Sequence, residues 1–274
     1  MKSTTELRKI ARSKHAAVTK IADGCSMTVV TESAATIHHD DMITSALTRS
    51  FNYDAHYDLL AVPSLRELLK SNDHIQILAN DVMTAVSLHH VESLLIASMS
   101  TGCAAQIRRR ITQACPAIRN MHIRETTLER PRNLELHEPL VLTCMDWRLH
   151  GANGFRSMMQ GAFAVERFAL MSTAGAGKEL GHLGARTKMV LSQLSRFANA
   201  GVTRVIVLSH TDCGKYGGNA AFADDHAQCV GLTSDLGNAT KLLREKFPKI
   251  RFETGIIRCH GHDVTGVEPT THHH

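Results

Sequence analysis

A histidine and a cysteine stand three residues apart in Leu208-Ser209-His210-Thr211-Asp212-Cys213-Gly214, directly after the apolar run Val205-Ile206-Val207-Leu208. A short β-branched run of this kind reads as a buried parallel strand. Imidazole nitrogen and thiolate sulfur are typical zinc ligands, and the turn after a strand can aim both at one point. Two ligands do not hold a catalytic zinc, so a third is expected elsewhere. Val141-Leu142-Thr143-Cys144-Met145-Asp146-Trp147-Arg148 supplies the best candidate. It is a second apolar run ending in a cysteine, with an acid and a base at alternating positions behind it.

Cys144, His210 and Cys213 together make a Cys₂His set. Two thiolates and a neutral imidazole cancel the charge of the ion, and three protein ligands leave a fourth position open. Water at such a position ionises at about pH 7. Asp146 and Arg148 follow Cys144 at spacings of two, which in an extended segment puts all three side chains on one side. An arginine beside the aspartate keeps it ionised and can grip it with a forked pair of hydrogen bonds.

Cys-x-Asp-x-Arg after one strand and His-x-x-Cys-Gly after another resemble the motifs of the β-class carbonic anhydrases. Ala174-Gly175-Ala176 between them is similar to that family's Ala-Gly turn. The resemblance covers about residues 140–267. It implies one zinc per chain, held by Cys144, His210 and Cys213, and an Asp146–Arg148 pair that orients a zinc-bound hydroxide for attack on CO₂. It also implies backbone groups near Gly175 that face the substrate, and a pH-dependent off state in which Asp146 swings onto the metal. Members of the family work as dimers, with each pocket completed at the subunit interface. Two alternatives share the motifs: hydrolysis of CS₂ or COS, and a non-catalytic zinc scaffold with Asp146 as fourth ligand.

Each motif taken singly is weak. A lone cysteine at a strand end is usually a small buried hydrophobe. His226-Ala227-Gln228-Cys229 repeats the His-x-x-Cys spacing with no strand before it, and Cys259-His260-Gly261-His262-Asp263 reads as an exposed, idle cluster. The run Thr173 to Lys178 lacks the glycines of a phosphate loop or a dinucleotide fingerprint, because Ser172 and Leu180 stand where those patterns need Gly. Arg108, Arg109 and Arg110 read as a solvated helix face.

The elements that must position these groups recur in an α/β order. Strands are expected at Met27–Thr31, Ile75–Leu78, Leu94–Ala97, Val141, Phe168–Met171, Val205 and Phe252–Ile257, the last of them final. Helices are expected within Leu59–Leu69 (starting near Pro63-Ser64), at Asp81–His90, around Arg108, at Leu180–Ala200 and at Leu232–Phe247. Gly201 and Pro248 serve as stops. The fold class is therefore α/β, with a mostly parallel sheet flanked by helices.

The chain divides into an arm (1–24), a first α/β half (25–130), a linker (131–139), the zinc-binding half (140–267) and a tail (268–274). The halves share an order of elements. Val91 to Cys103 can be laid on Val202 to Gly214, and Val29-Val30-Thr31-Glu32 on Val141-Leu142-Thr143-Cys144. Met99 and Glu32 then stand where His210 and Cys144 do, so the first half is expected to be a copy without metal ligands. The partner surface would then come from within one chain as a pseudo-dimer, with whole chains also able to pair.

The 274 residues are 43% hydrophobic and 21% charged, which suits a globular chain. A net charge of +5 with only 4% aromatics does not suit a nucleic-acid stacking surface. No apolar stretch approaches the roughly 20 residues of a membrane span. Seven cysteines without a disulfide framework point to a reducing, cytoplasmic compartment. The basic, nearly acid-free start is read as a helical arm, with an organelle transit peptide as the alternative. His272 to His274 read as a tag remnant.

Overall fold

The computed structural model describes residues 27–32, 57–62, 64–89, 91–128, 139–150, 156–182 and 184–270. The expected arm, the tag-like run and most of the linker lie outside them. The chain is α/β, with two sheets. In the first, strands β1 (Met27–Glu32), β2 (Tyr57–Val62), β3 (Ser93–Ser98) and β4 (His122–Thr127) run parallel in the order β2-β1-β3-β4. The second contains β5 (Leu140–Thr143), β6 (Ala169–Ser172), β7 (Arg204–His210), β8 (Arg251–His260) and β9 (Asp263–Pro269) in the order β6-β5-β7-β8-β9. Only β9 is antiparallel to its neighbour.

The two sheets share a register as well as an order. Val29 pairs with Leu95 and Leu59 in the first sheet. Val141 pairs with Ile206 and Leu170 in the second. Laying Val29 on Val141 and Leu95 on Ile206 therefore needs no shift on either strand, as the two overlays read from the sequence require.

Helices α1 (Leu65–Leu68), α2 (Asn72–His89) and α3 (Cys103–Ala114) belong to the first half. The second half carries α4 (Arg156–Phe163), α5 (Ala176–Leu180), α6 (Ala185–Asn199) and α7 (Asp225–Lys246). Five expectations are corrected here. Leu59 to Val62 is strand, and only Leu65–Leu68 of that stretch is helical. Its apolar run is wholly buried, a pattern in which period cannot separate strand from helix. Ile75–Leu78 is not a strand but part of α2, where Ile75, Leu78, Ala79, Val82 and Ala85 form a buried stripe at helical spacing. Phe252–Ile257 is not the last strand, because β8 turns at Gly261 into β9. The helix expected over Leu180–Ala200 breaks between Leu180 and Ala185 into α5 and α6. Arg110 also departs from a solvated face: its guanidinium reaches the Leu69 carbonyl and Asn72 Oδ1, while Arg108 pairs with Glu125 at the surface.

Both faces of the second sheet are covered, as parallel strands require. Leu140 and Leu142 join a cluster with Leu194, Leu236 and Leu243. Val141, between them, points the other way into a core shared with the first half.

The halves meet along β2 and β6. Ala61 N–H donates to Ser172 Oγ at 2.8 Å, and the Ser172 hydroxyl donates onward to the Leu59 carbonyl. Asp81 of α2, buried, takes the Thr173 hydroxyl at 3.2 Å and the Arg186 guanidinium. Burial pushes the Asp81 carboxyl above its ordinary range, opposed by Arg186 and Thr173.

Candidate metal centre

Strands β5 and β7 are neighbours, and the chain leaves β5 to one side for β6 before returning on the other for β7. This is a switch point in strand order, where side chains at the carboxyl ends converge. Cys144 is the first residue after β5. His210 ends β7, and Cys213 follows after a tight turn in which Asp212 takes a positive φ of 57°. All three side chains are buried, and their ligand atoms lie within 4.8 Å of one another. Among the described residues this is the group of three or more ligand-type side chains arranged to hold a metal ion.

The donor set fits one ion. Cys144 Sγ and Cys213 Sγ are 4.0 Å apart. That is far beyond the roughly 2.05 Å of a disulfide and close to the roughly 3.8 Å that two thiolates adopt on a tetrahedral zinc. His210 Nδ1 lies 2.8 Å from the Thr211 carbonyl, which fixes the proton on Nδ1. Nε2 is buried in the cluster with no hydrogen-bond partner. A buried ring nitrogen left without a partner is costly unless something occupies that direction.

The three groups shift one another's proton affinities. Cys213 is pulled below the ordinary thiol range by the Cys144 thiol that bonds to it, helped by the Lys215 and Tyr216 backbone. Cys144 is pushed well up by the same contact and by burial. Burial works against a charged imidazole at His210, yet Cys144 and Asp146 carry its pKa well above the usual value.

Searches against protein-family models, curated proteins and solved structures find no match to this chain. The site must therefore be read from its own geometry.

Asp146 lies beside the cluster and is gripped by Arg148. Arg148 Nε donates to Asp146 Oδ1 at 2.9 Å and Nη2 to Oδ2 at 2.8 Å. The Arg148 backbone N–H adds a third bond to Oδ1 at 3.0 Å. Asp146 Oδ2 is nevertheless only 3.7 Å from His210 Nε2. Burial alone would lower the Arg148 pKa, but its bonds to Asp146 and that charge raise it instead. The guanidinium stays charged, and so supports an ionised Asp146.

Gly175 stands beside the metal group with a left-handed φ of 77°, and its N–H points at Cys144 Sγ across 3.5 Å. A Cβ there would come within 3.0 Å of Lys215 Cβ.

Several groups near the site were not expected from the sequence. His150 is buried with Nε2 at 3.2 Å from the Cys144 carbonyl. The Cys259–Asp263 cluster is not idle: Cys259 Sγ lies 3.9 Å from His210 Nδ1, the Gly261 carbonyl accepts from Arg148, and the His262 ring sits 5.4 Å from that of Trp147. The signal missed was the turn itself, since Gly261 with positive φ closes a hairpin that folds its tip back over the motif. The decoy Cys229 takes no part in the metal group; its sulfur rests on Arg258 Nη1.

Proposed function

We propose that this protein catalyses the reversible hydration of CO₂ to bicarbonate and a proton at a zinc ion held by Cys144, His210 and Cys213. The observation that carries the reading is the pairing of a three-ligand group with an Asp146 that Arg148 holds off it. A purely structural site would use Asp146 to close the sphere, and here both its oxygens are engaged elsewhere.

Zinc bound there would supply a water that ionises at about pH 7, the nucleophile that CO₂ requires. The chain's own residues do the rest. Thr211 fixes the His210 tautomer that leaves Nε2 free to bind. The Gly175 N–H would donate to the Cys144 thiolate that a bound metal enforces. Asp146 Oδ2 is near enough to the ligand cluster to accept a hydrogen bond and so set the direction of attack. Arg148, permanently charged, keeps that carboxylate an acceptor rather than a donor.

The first half is best read as a metal-free copy that acts as the partner subunit. Its strand order and register repeat those of the second half. Asp58 and Asp81 reach across the seam, and Leu88 of α2 fills the space over Gly214, where a Cβ would come within 2.5 Å of Leu88 Cδ1. The active unit in this reading is one chain with one zinc, and whole chains can pair further.

Stopped-flow CO₂ hydration by zinc-loaded protein and by Asp146→Asn tests the reading. Activity in the native protein that falls by about 10²-fold or more in the variant is expected. A zinc-loaded native protein that hydrates no CO₂ at pH about 7 or 8.5 would contradict it, and CS₂ and COS would then decide whether another linear triatomic substrate is taken.

A further inference from the structure

Arg148 makes more bonds than its pairing with Asp146 requires. A guanidinium carries five N–H donors and no acceptor. Nε gives its one to Asp146 Oδ1, and Nη2 divides its two between Asp146 Oδ2 and the Asp212 carbonyl at 3.1 Å. Nη1 gives to Asp212 Oδ2 at 3.1 Å and the Gly261 carbonyl at 3.1 Å. Five donors thus meet five acceptors, and Asp212 supplies two of them.

Asp212 is itself held in place. Its other carboxylate oxygen accepts the Asn219 N–H at 3.0 Å. Gly218 passes so close that a Cβ there would lie 3.2 Å from the same oxygen. The residue also sustains a positive φ that aspartate tolerates better than most side chains. Such a conformation at a site, with the side chain tied down twice, points from geometry to a role.

We propose that Asp212 is a positioning residue that latches Arg148 onto Asp146 and thereby keeps Asp146 from turning onto the metal. The proposal rests on the zinc reading above. Asp146 Oδ2 lies 3.7 Å from His210 Nε2, so a small rotation separates the open arrangement from a closed one. Arg148 prevents that rotation, and its far side is anchored by Asp212 and Gly261. Removing the Asp212 carboxylate frees one Nη1 donor and lets the guanidinium tilt away from Asp146.

The full chain is loaded with Co²⁺ as native protein, Asp212→Asn and Asp212→Gly, and azide is titrated while the cobalt absorption bands are followed. Both substitutions suit a positive φ, so neither introduces backbone strain. Asn keeps an oxygen that can accept from Arg148, whereas Gly removes the contact. Azide binds native protein and D212N alike, and D212G at least about tenfold more weakly because Asp146 then occupies the fourth position. Adding Asp146→Ala to D212G restores azide binding, which a general loosening of the fold would not do. Equal azide affinity in D212G and native protein would overturn the latch alone. A native protein that takes up no Co²⁺ would overturn the zinc reading, and the latch with it.

Discussion

The carboxylate of Asp58, on β2, accepts the backbone N–H of Trp147 at 2.8 Å across the seam between the two sheets. One residue along, Leu59 N–H donates to the Met145 carbonyl at 3.0 Å. The backbone on either side of Asp146 is therefore held by the first half. Asp58→Ala leaves a buried N–H without its acceptor, at a cost of about 1–3 kcal/mol. Asp58→Asn, which keeps an oxygen, loses less. Urea unfolding of the three proteins measures the order native, Asn, Ala.

A second carboxylate crosses the same seam. Asp81 is 2% exposed and faces Arg186. Removing one member of a buried pair strands the other, so Arg186→Met destabilises by about 3–5 kcal/mol. The double variant Asp81→Leu/Arg186→Met recovers a large part of that loss. Both are read from thermal melts at fixed pH.

Gly175→Ala imposes a side chain on a left-handed backbone and drives it against Lys215. About 1–2 kcal/mol of stability is lost from the backbone alone. The turn that aims an N–H at Cys144 also shifts, so metal affinity falls with stability. Competition with a chromophoric chelator measures the affinity.

Metal affinity depends on pH with a definite sign. Cys144, pushed well up by its contact with Cys213 and by burial, carries a proton that an incoming ion must displace. Binding therefore releases that proton, and affinity rises with pH until the Cys144 thiol ionises unaided. Isothermal titration in buffers of different ionisation enthalpy should show net proton release on binding near neutrality. Cys144→Ser, with a poorer ligand, lowers affinity at every pH.

The candidate metal group was legible in the sequence because each of its residues sits at or just after a strand end and strand ends converge in a parallel sheet. Cys144, His210 and Cys213 needed only the apolar runs before them. The shared order of the two halves was legible for a similar reason: two gapless overlays, Val29 on Val141 and Val91 on Val202, are the overlays that the strand pairing realises. Ile75-Gln76-Ile77-Leu78 misled because its alternation is local, whereas its buried stripe extends to Ala85 and declares a helix only over that length. What surrounds the ligands was not legible. Asp58, Asp81 and Gly261 reach the site by tertiary packing, and nothing in their neighbours marks them. Asp212 was in view inside His-x-x-Cys, but its grip on Arg148 depends on a positive φ that sequence does not announce.

Membrane crossing by a described helix does not arise, since none is long and apolar enough.

Zinc content per chain, with native and Cys213→Ser samples side by side, tests the central claim most directly. One zinc per native chain and none in the variant is the predicted result. Two zincs per native chain would show that the first half is not a metal-free copy. No zinc in the native protein, or one retained without Cys213, would contradict the assignment of the site.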